Sequence, residues 1–247
     1  MRQIRGSFNK PLTTLLANAT FVVEVGAPPA QCTINGVESL ELLAQIPDPN
    51  NPINLTVRVP AGGRLAERLR KSVAKDLLIL AGLLFIEKDD NGKSSPIISP
   101  SIICKAVDEQ YLNEVVVVGR FSSKSRQTDK TTVRPLAQSR AVRKGDEWEE
   151  LTDWFPIRGY GSNNGGKSIM DRLHAADKGA LAEVCGSLSQ MTSKQGEPFI
   201  EVRARKLKLH GKSKAGLSSS SNPAKGKDVV GYEQEAYMTS EPDDMPY

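Results

Sequence analysis

Aromatic side chains are scarce in this sequence: six Phe, five Tyr and two Trp make up 5% of 247 residues. A core built mainly on aromatic packing is excluded, and the few aromatics become individually informative. The three cysteines, Cys32, Cys104 and Cys185, are too few and too far apart for a disulfide framework or a C-x-x-C metal site. Two histidines, His174 and His210, leave little for a His-based metal site or a catalytic triad. No apolar run approaches the ~18–20 residues that a membrane helix needs. The opening MRQIRGSFNK lacks the apolar stretch of a signal peptide. The expectation is a cytoplasmic protein without a membrane span, in a reducing compartment, with no cofactor.

Charge is present in both signs but unevenly placed. Lys and Arg number 33 against 29 Asp and Glu, a net charge of +4. Residues 1–109 are near neutral, 110–211 carry the positive excess and hold both tryptophans, and 212–247 are net acidic. The last segment, rich in Ser, Gly, Lys and Pro, shows no apolar period of 2 or 3.6. Such composition cannot bury enough surface to offset chain entropy, so a disordered tail is expected. It closes on Asp243-Asp244-Met245-Pro246-Tyr247. Charge, an apolar anchor and a terminal carboxylate together suit a peptide ligand for a basic pocket.

The remainder reads as a faint internal repeat with an offset of about 100 residues. Val57-Arg58 leads through a Gly-containing loop to a short helix, 65–70, then an apolar run, Gly82, a turn and a strand-like stretch, 96–106. Ile157-Arg158 leads likewise to a helix over 169–174, an apolar run, Gly186, a turn and a strand over 198–209. Earlier strands are expected over 19–25, 39–44 and 55–59, and again over 112–121, 131–141 and 148–157. Short strands at this spacing, with one helix between the third and fourth, predict two tandem OB-fold barrels, each a five-stranded Greek key. The fold class is all-β with one small helix per domain. The expected domains are 1–109, 110–211 and a tail over 212–247.

Gly161–Ser168 literally matches the phosphate-cradling G-x-x-x-x-G-K-[ST] pattern. Its context argues against a nucleotide site. The preceding stretch contains Asp, Pro and Arg rather than a buried parallel strand, and too little chain follows for the βα units such a domain requires. A nucleotide-binding protein using this loop is kept as the rival. The acidic cluster Glu147, Glu149, Glu150 and Asp153 has no nucleophile or His partner beside it and reads as a solvated face. No enzymatic activity is expected.

Aromatic and basic residues converge instead on the second half. Phe121, Trp148, Trp154, Phe155 and Tyr160 all lie there, and at period 2 Trp148 and Trp154 share one strand face. Arg120, Lys124, Arg126, Arg134, Arg140, Arg143, Lys144 and Arg158 lie nearby. Aromatic platforms that stack bases, interleaved with cations that follow phosphates, are what sequence-tolerant single-strand binding requires. The candidate set is Trp148, Trp154, Tyr160 and Phe121 with Arg120, Lys124, Arg126, Arg140, Arg143, Lys144 and Arg158. For Phe121 and Phe155 a place in the core is an equal alternative. An OB-fold module that binds RNA or protein is a second rival.

These residues resemble the bacterial-type single-stranded DNA-binding protein family. The resemblance covers about 112–211 and rests on VVVVGRF, TDWFPIRGYG, LHAADKGA, VCGSLSQMTSKQGEPF and IEVRARKLKLHG. It implies that Trp154 and, six residues on, Tyr160 stack on bases. The family's two other binding tryptophans have no match: Arg140 or Ala141 stands near one and Thr192 or Ser193 near the other, with Trp148 an additional aromatic. The resemblance also implies that Asp243, Asp244, Met245, Pro246 and Tyr247 dock genome-maintenance proteins, with Tyr in place of Phe and one acid fewer. It further implies nucleoid association, roles in replication, recombination and repair, and a homodimer presenting four OB domains. The first half resembles the family only through the repeat. It has no Trp, and the position matching Trp154 falls near Asn54-Leu55, so a degenerate domain serving assembly is expected.

Overall fold

Alternation of small or apolar with polar residues over ANATFVVEV produces the first strand, β1 (Ala17–Val25), whose Ala17, Ala19, Phe21, Val23 and Val25 turn inward. The computed structural model describes residues 17–48, 51–88, 94–107, 110–122, 125–144, 147–161, 168–193 and 196–210, the side chains of 143, 144, 147 and 148 excepted. After β1 come β2 (Ala30–Ile34), β3 (Val37–Ile46), β4 (Ile53–Pro60), α1 (Arg64–Arg70), β5 (Leu77–Lys88) and β6 (Ser94–Lys105). The second half follows with β7 (Asn113–Phe121), β8 (Arg126–Gln127), β9 (Thr131–Lys144), β10 (Glu147–Tyr160), α2 (Ile169–Ala175), β11 (Leu181–Thr192) and β12 (Pro198–Leu209).

The pairings close two barrels. In the first half β1 pairs β3, β3 pairs β4, β4 runs parallel to β6, β6 pairs β5 and β5 returns to β1. In the second half β7, β9, β10, β12 and β11 close in the same order, with β10 parallel to β12. Each ring has five strands with one short helix between its third and fourth, the OB-fold layout expected above. The barrels share an edge, because β1 also pairs β7 from Ala17↔Val117 to Phe21↔Asn113. One twelve-stranded sheet therefore runs through both halves.

Burial explains why these strands hold. Phe21, Leu42, Ile46, Ile53, Leu80 and Leu84 fill the first barrel, with Leu69 of α1 among them. Phe121, Leu136, Phe155, Ile157, Val184 and Val202 fill the second, with Leu173 of α2. Each such side chain contributes about 1.5–3 kcal/mol by leaving water.

Gly82 and Gly186 mark the same device in both copies. Each stands where the register shifts within the hairpin, at Ala81/Gly82 and at Cys185/Gly186. A Cβ at Gly82 would collide with the Ser99 carbonyl, and one at Gly186 with the Arg203 carbonyl. Close backbone approach at a bulge requires glycine there.

Two strands were not anticipated. The first, β2, pairs β3 through Ile34↔Val37 across Asn35-Gly36, whose φ angles of 50° and 78° fit a left-handed two-residue turn. The Asn-Gly pair was the available signal, masked by the Pro-rich stretch around it. The second, β8, is only two residues long and exists by pairing with β9. Among the described residues no helix is long and apolar enough to cross a membrane, and no three His, Cys, Asp or Glu side chains gather to hold a metal.

Candidate nucleic-acid interface

Strict alternation along the end of β10 builds the face. Asp153, Phe155 and Ile157 are buried, whereas Trp154 and Tyr160 are 42% and 45% exposed. Pro156 and Arg158 lie between the two aromatics on the same side. The neighbouring strand β9 presents Thr131, Val133, Pro135 and Ala137 opposite Tyr160, Arg158, Pro156 and Trp154. All four are small or uncharged, so they leave the aromatic rings standing above the sheet.

Cations flank this platform in register. Ala137 pairs with Trp154 on one side and with Arg120 of β7 on the other, so Arg120, Ala137 and Trp154 form one cross-strand row. Val133 likewise separates Arg158 from Arg126 of β8. Arg120 and Arg126 are exposed, two strand spacings, about 9–10 Å, from the β10 side chains. Arg120 also donates from Nη1 to the Gly179 carbonyl at 3.0 Å, which fixes one end of its guanidinium.

Arg158 is on the face but not free. Its Nε donates to Glu201 Oε1 at 2.5 Å and its Nη1 to Thr131 Oγ1 at 3.2 Å. Glu201 is fully buried, and its other oxygen, Oε2, meets no hydrogen-bond donor among the described residues. The Glu201 bond raises the affinity of Arg158 for its proton. Arg158 thus ties β10 to β12 and to β9 between Trp154 and Tyr160.

Two candidates leave the face. Phe121 is fully buried, so it is a core residue and not a stacking platform. It follows Arg120 directly, and successive strand residues point to opposite sides. Arg140 also turns inward. Its Nε donates to Asp153 Oδ2 at 2.7 Å, and its guanidinium lies 4.6 Å from the Phe85 ring centre of the first half. Arg134, nearby in sequence, is buried as well: it donates to the Leu173 carbonyl at 2.9 Å and to that of Ala176, closing the end of α2, and lies over Phe121.

Backbone pairing places Trp148 opposite Arg143 on the β9–β10 hairpin, but the side chains of Trp148, Arg143 and Lys144 lie outside the described residues, as do Lys124 and Asp243–Tyr247. Residues missed from the sequence are Arg203, in parallel register with Arg158, and Phe199, which lines a cavity with Trp154. Their signal was the alternation of Phe199, Glu201 and Arg203 along β12.

The equivalent face of the first half has no platform. Its β4 repeats the burial pattern of 153–160 residue for residue, yet Asn54, Thr56, Arg58 and Pro60 stand where Trp154, Pro156, Arg158 and Tyr160 stand. Arg58 is tied to Glu41 at 2.7 Å and Glu87 at 2.6 Å, much as Arg158 is to Glu201.

The phosphate-loop rival gains little from α2. Ser168 is its N-cap: its hydroxyl donates to Asp171 Oδ2 at 2.7 Å and accepts from the Asp171 N–H at 3.2 Å. With the Ser168 N–H, which donates to Asp171 Oδ2 at 3.0 Å, they form a capping box, and the bonds from Ser168 hold the Asp171 carboxyl below the usual carboxylate range. They use the hydroxyl that a phosphate loop would turn to a metal ion. Residues 162–167 lie outside the described residues.

The fold and this face define an OB-fold protein with two barrels in one chain. The chain shares that fold with the wild-type single-stranded DNA binding protein from Thermus aquaticus, at a TM-score of 0.57 and 20% identity over 83% of this chain and 97% of that one. A deletion mutant of the same Thermus aquaticus protein matches at 0.57 and 19% identity, over 83% and 99%. A Plasmodium falciparum protein solved in complex with single-stranded DNA aligns with 42% of this chain and 96% of its own, at 25% identity and a TM-score of 0.34. No protein-family model matches the sequence, and no curated protein matches it.

Proposed function

We propose that this chain binds single-stranded DNA with little sequence preference. The observation that carries the reading is the exposed pair Trp154 and Tyr160 on one face of β10, with Arg120 and Arg126 aligned across β9. Rings stack on any base, and cations at the platform's edge follow the phosphates. The proteins of like fold are single-stranded DNA-binding proteins, which supports the same reading. Protection of exposed strands in replication, recombination and repair, in the cytoplasm and at the nucleoid, follows from it. No reaction is assigned to the protein. Titration with oligo-dT, followed by tryptophan fluorescence at two salt concentrations, tests the reading. Quenching is expected, with affinity falling as salt rises because phosphate contacts release counterions. An unquenched, salt-independent signal would overturn it.

The first half, 1–109, serves assembly in this proposal, the second, 110–211, supplies the aromatic platform, and Asp243, Asp244, Met245, Pro246 and Tyr247 recruit genome-maintenance proteins. The chain forms a homodimer presenting four barrels. Supporting the dimer, Leu83, Ile102 and Val116 stand exposed on one face of the shared sheet, in rows running from β6 through β5 and β1 to β7. Covering such apolar surface is favourable by about 25 cal/mol per Å². Leu83→Glu with Val116→Glu is expected to halve the mass measured by light scattering; a parent protein that is already monomeric would refute the dimer.

A further inference from the structure

The Trp154 end of the exposed aromatic face meets a wall made by the first half. Two cavities, of about 200 and 360 Å³, flank Trp154, and both are lined by Ile86, Lys88 and Ser94 of the first half. Lys88 of β5 pairs directly with Ser94 of β6, and Ile86 lies two residues before Lys88, so the three share one side of the β5–β6 hairpin.

The charges lining these cavities are mostly spent. Glu87 is taken by Arg58, Asp153 by Arg140 and Glu201 by Arg158. Lys88 is exposed and makes no ion pair with a described residue. A cleft with an indole on one wall and an uncommitted ammonium and a hydroxyl on the other matches a nucleotide: a ring to stack and a phosphate to neutralise.

We propose that a nucleotide stacked on Trp154 is held against the first half, with Lys88 meeting its phosphate, so that the two halves share one cleft for single-stranded DNA. The inference rests on the binding reading above and extends it, because it makes the aromatic-poor half a contributor to the binding surface. Its wall is a hairpin of the first barrel that reaches the second platform, not the first half's own degenerate face.

The test compares the full-length parent protein with Lys88→Ala and with Lys71→Ala, which removes an equal charge from the end of α1. Each is titrated with oligo-dT over a range of salt concentrations. Lys88→Ala is expected to weaken binding about three- to tenfold at low salt. It should also flatten the slope of log affinity against log salt by about 0.7, the share of one single-strand phosphate contact. Lys71→Ala is expected to keep the parent slope. A loss of packing alone would change affinity without changing the slope, and would overturn the proposal. A Lys88→Ala protein equal to the parent, alongside a Trp154→Ala protein that has lost affinity, would overturn the shared cleft and leave the binding reading standing. A parent that fails to bind oligo-dT would overturn both.

Discussion

Replacing Trp154 and Tyr160 by alanine is expected to weaken oligo-dT binding by about five- to 150-fold for each residue, the equivalent of ~1–3 kcal/mol per stacked base, without loss of fold. Both rings are more than two-fifths exposed, so neither fills the barrel. Their removal takes away a stacking surface and creates no cavity. Phe155, one residue from Trp154 but 1% exposed, provides the contrast. Phe155→Ala should lower the free energy of unfolding by about 3–5 kcal/mol, because a buried ring is lost and a cavity remains. Denaturant unfolding and oligonucleotide titration on the three variants separate the effects. A Trp154→Ala, Tyr160→Ala protein that binds like the parent would show that the platform is not where bases stack. Trp154→Ala also leaves Trp148 as the remaining tryptophan. Quenching that survives in this variant would come from Trp148 and would add that residue to the interface.

Arg140→Met is expected to cost stability first. Asp153 is 3% exposed, and Arg140 supplies its countercharge at 2.7 Å. Removing one partner of a buried pair costs about 3–5 kcal/mol, and the 21% exposure of the Arg140 side chain points to the lower end. The deficit should depend on pH in a defined direction. Burial pushes the Asp153 carboxyl above the usual carboxylate range, against the opposing pull of Arg140 and the Ile86 N–H. Without Arg140 the shift grows. A carboxyl raised in the folded state contributes stability that is present below its unfolded value, about 3.9, and is lost as pH rises through its folded value. The deficit of Arg140→Met relative to the parent should therefore be largest at neutral pH and shrink on acidification toward pH ~4. Thermal or denaturant unfolding of both proteins across this range measures it. If Arg140 instead held a phosphate, the variant would keep its stability and flatten the salt slope of DNA binding.

Arg140 also bears on how the halves communicate. It stacks on Phe85, while the Arg58 guanidinium lies 6.0 Å from the centre of the same Phe85 ring and holds Glu87. The β5–β6 hairpin that carries Lys88 is therefore anchored to the β9–β10 hairpin that carries Trp154 by a chain of ion pairs and ring contacts. Asn51 adds a second tie, donating from Nδ2 to the Gln190 carbonyl at 2.5 Å.

Much of this was local and therefore legible. Period-2 alternation in β7 and β10 set their inward and outward sides, and a change of side every residue follows from backbone geometry alone. It placed Trp154 and Tyr160 on one face, and applied to Arg120 and Phe121 it already forbade both from sharing that face. The glycines at 82 and 186 marked the same bulge in two copies because a Cβ has no room there. The 100-residue offset between Arg58 and Arg158 disclosed the doubled barrel. What the sequence by itself determined was thus the alternation, the repeat and the placing of Trp154 and Tyr160 on one exposed face. The tertiary structure alone decided the fates of Arg134, Arg140 and Lys88. A guanidinium at an inward strand position can be read only once its acceptors are known, and these are the α2 carbonyls for Arg134 and a carboxylate beside another barrel's ring for Arg140. Lys88 gains meaning from Trp154, 66 positions away, because closing both barrels along β1 and β7 carries one hairpin to the other's face, and no spacing rule within either strand encodes that approach.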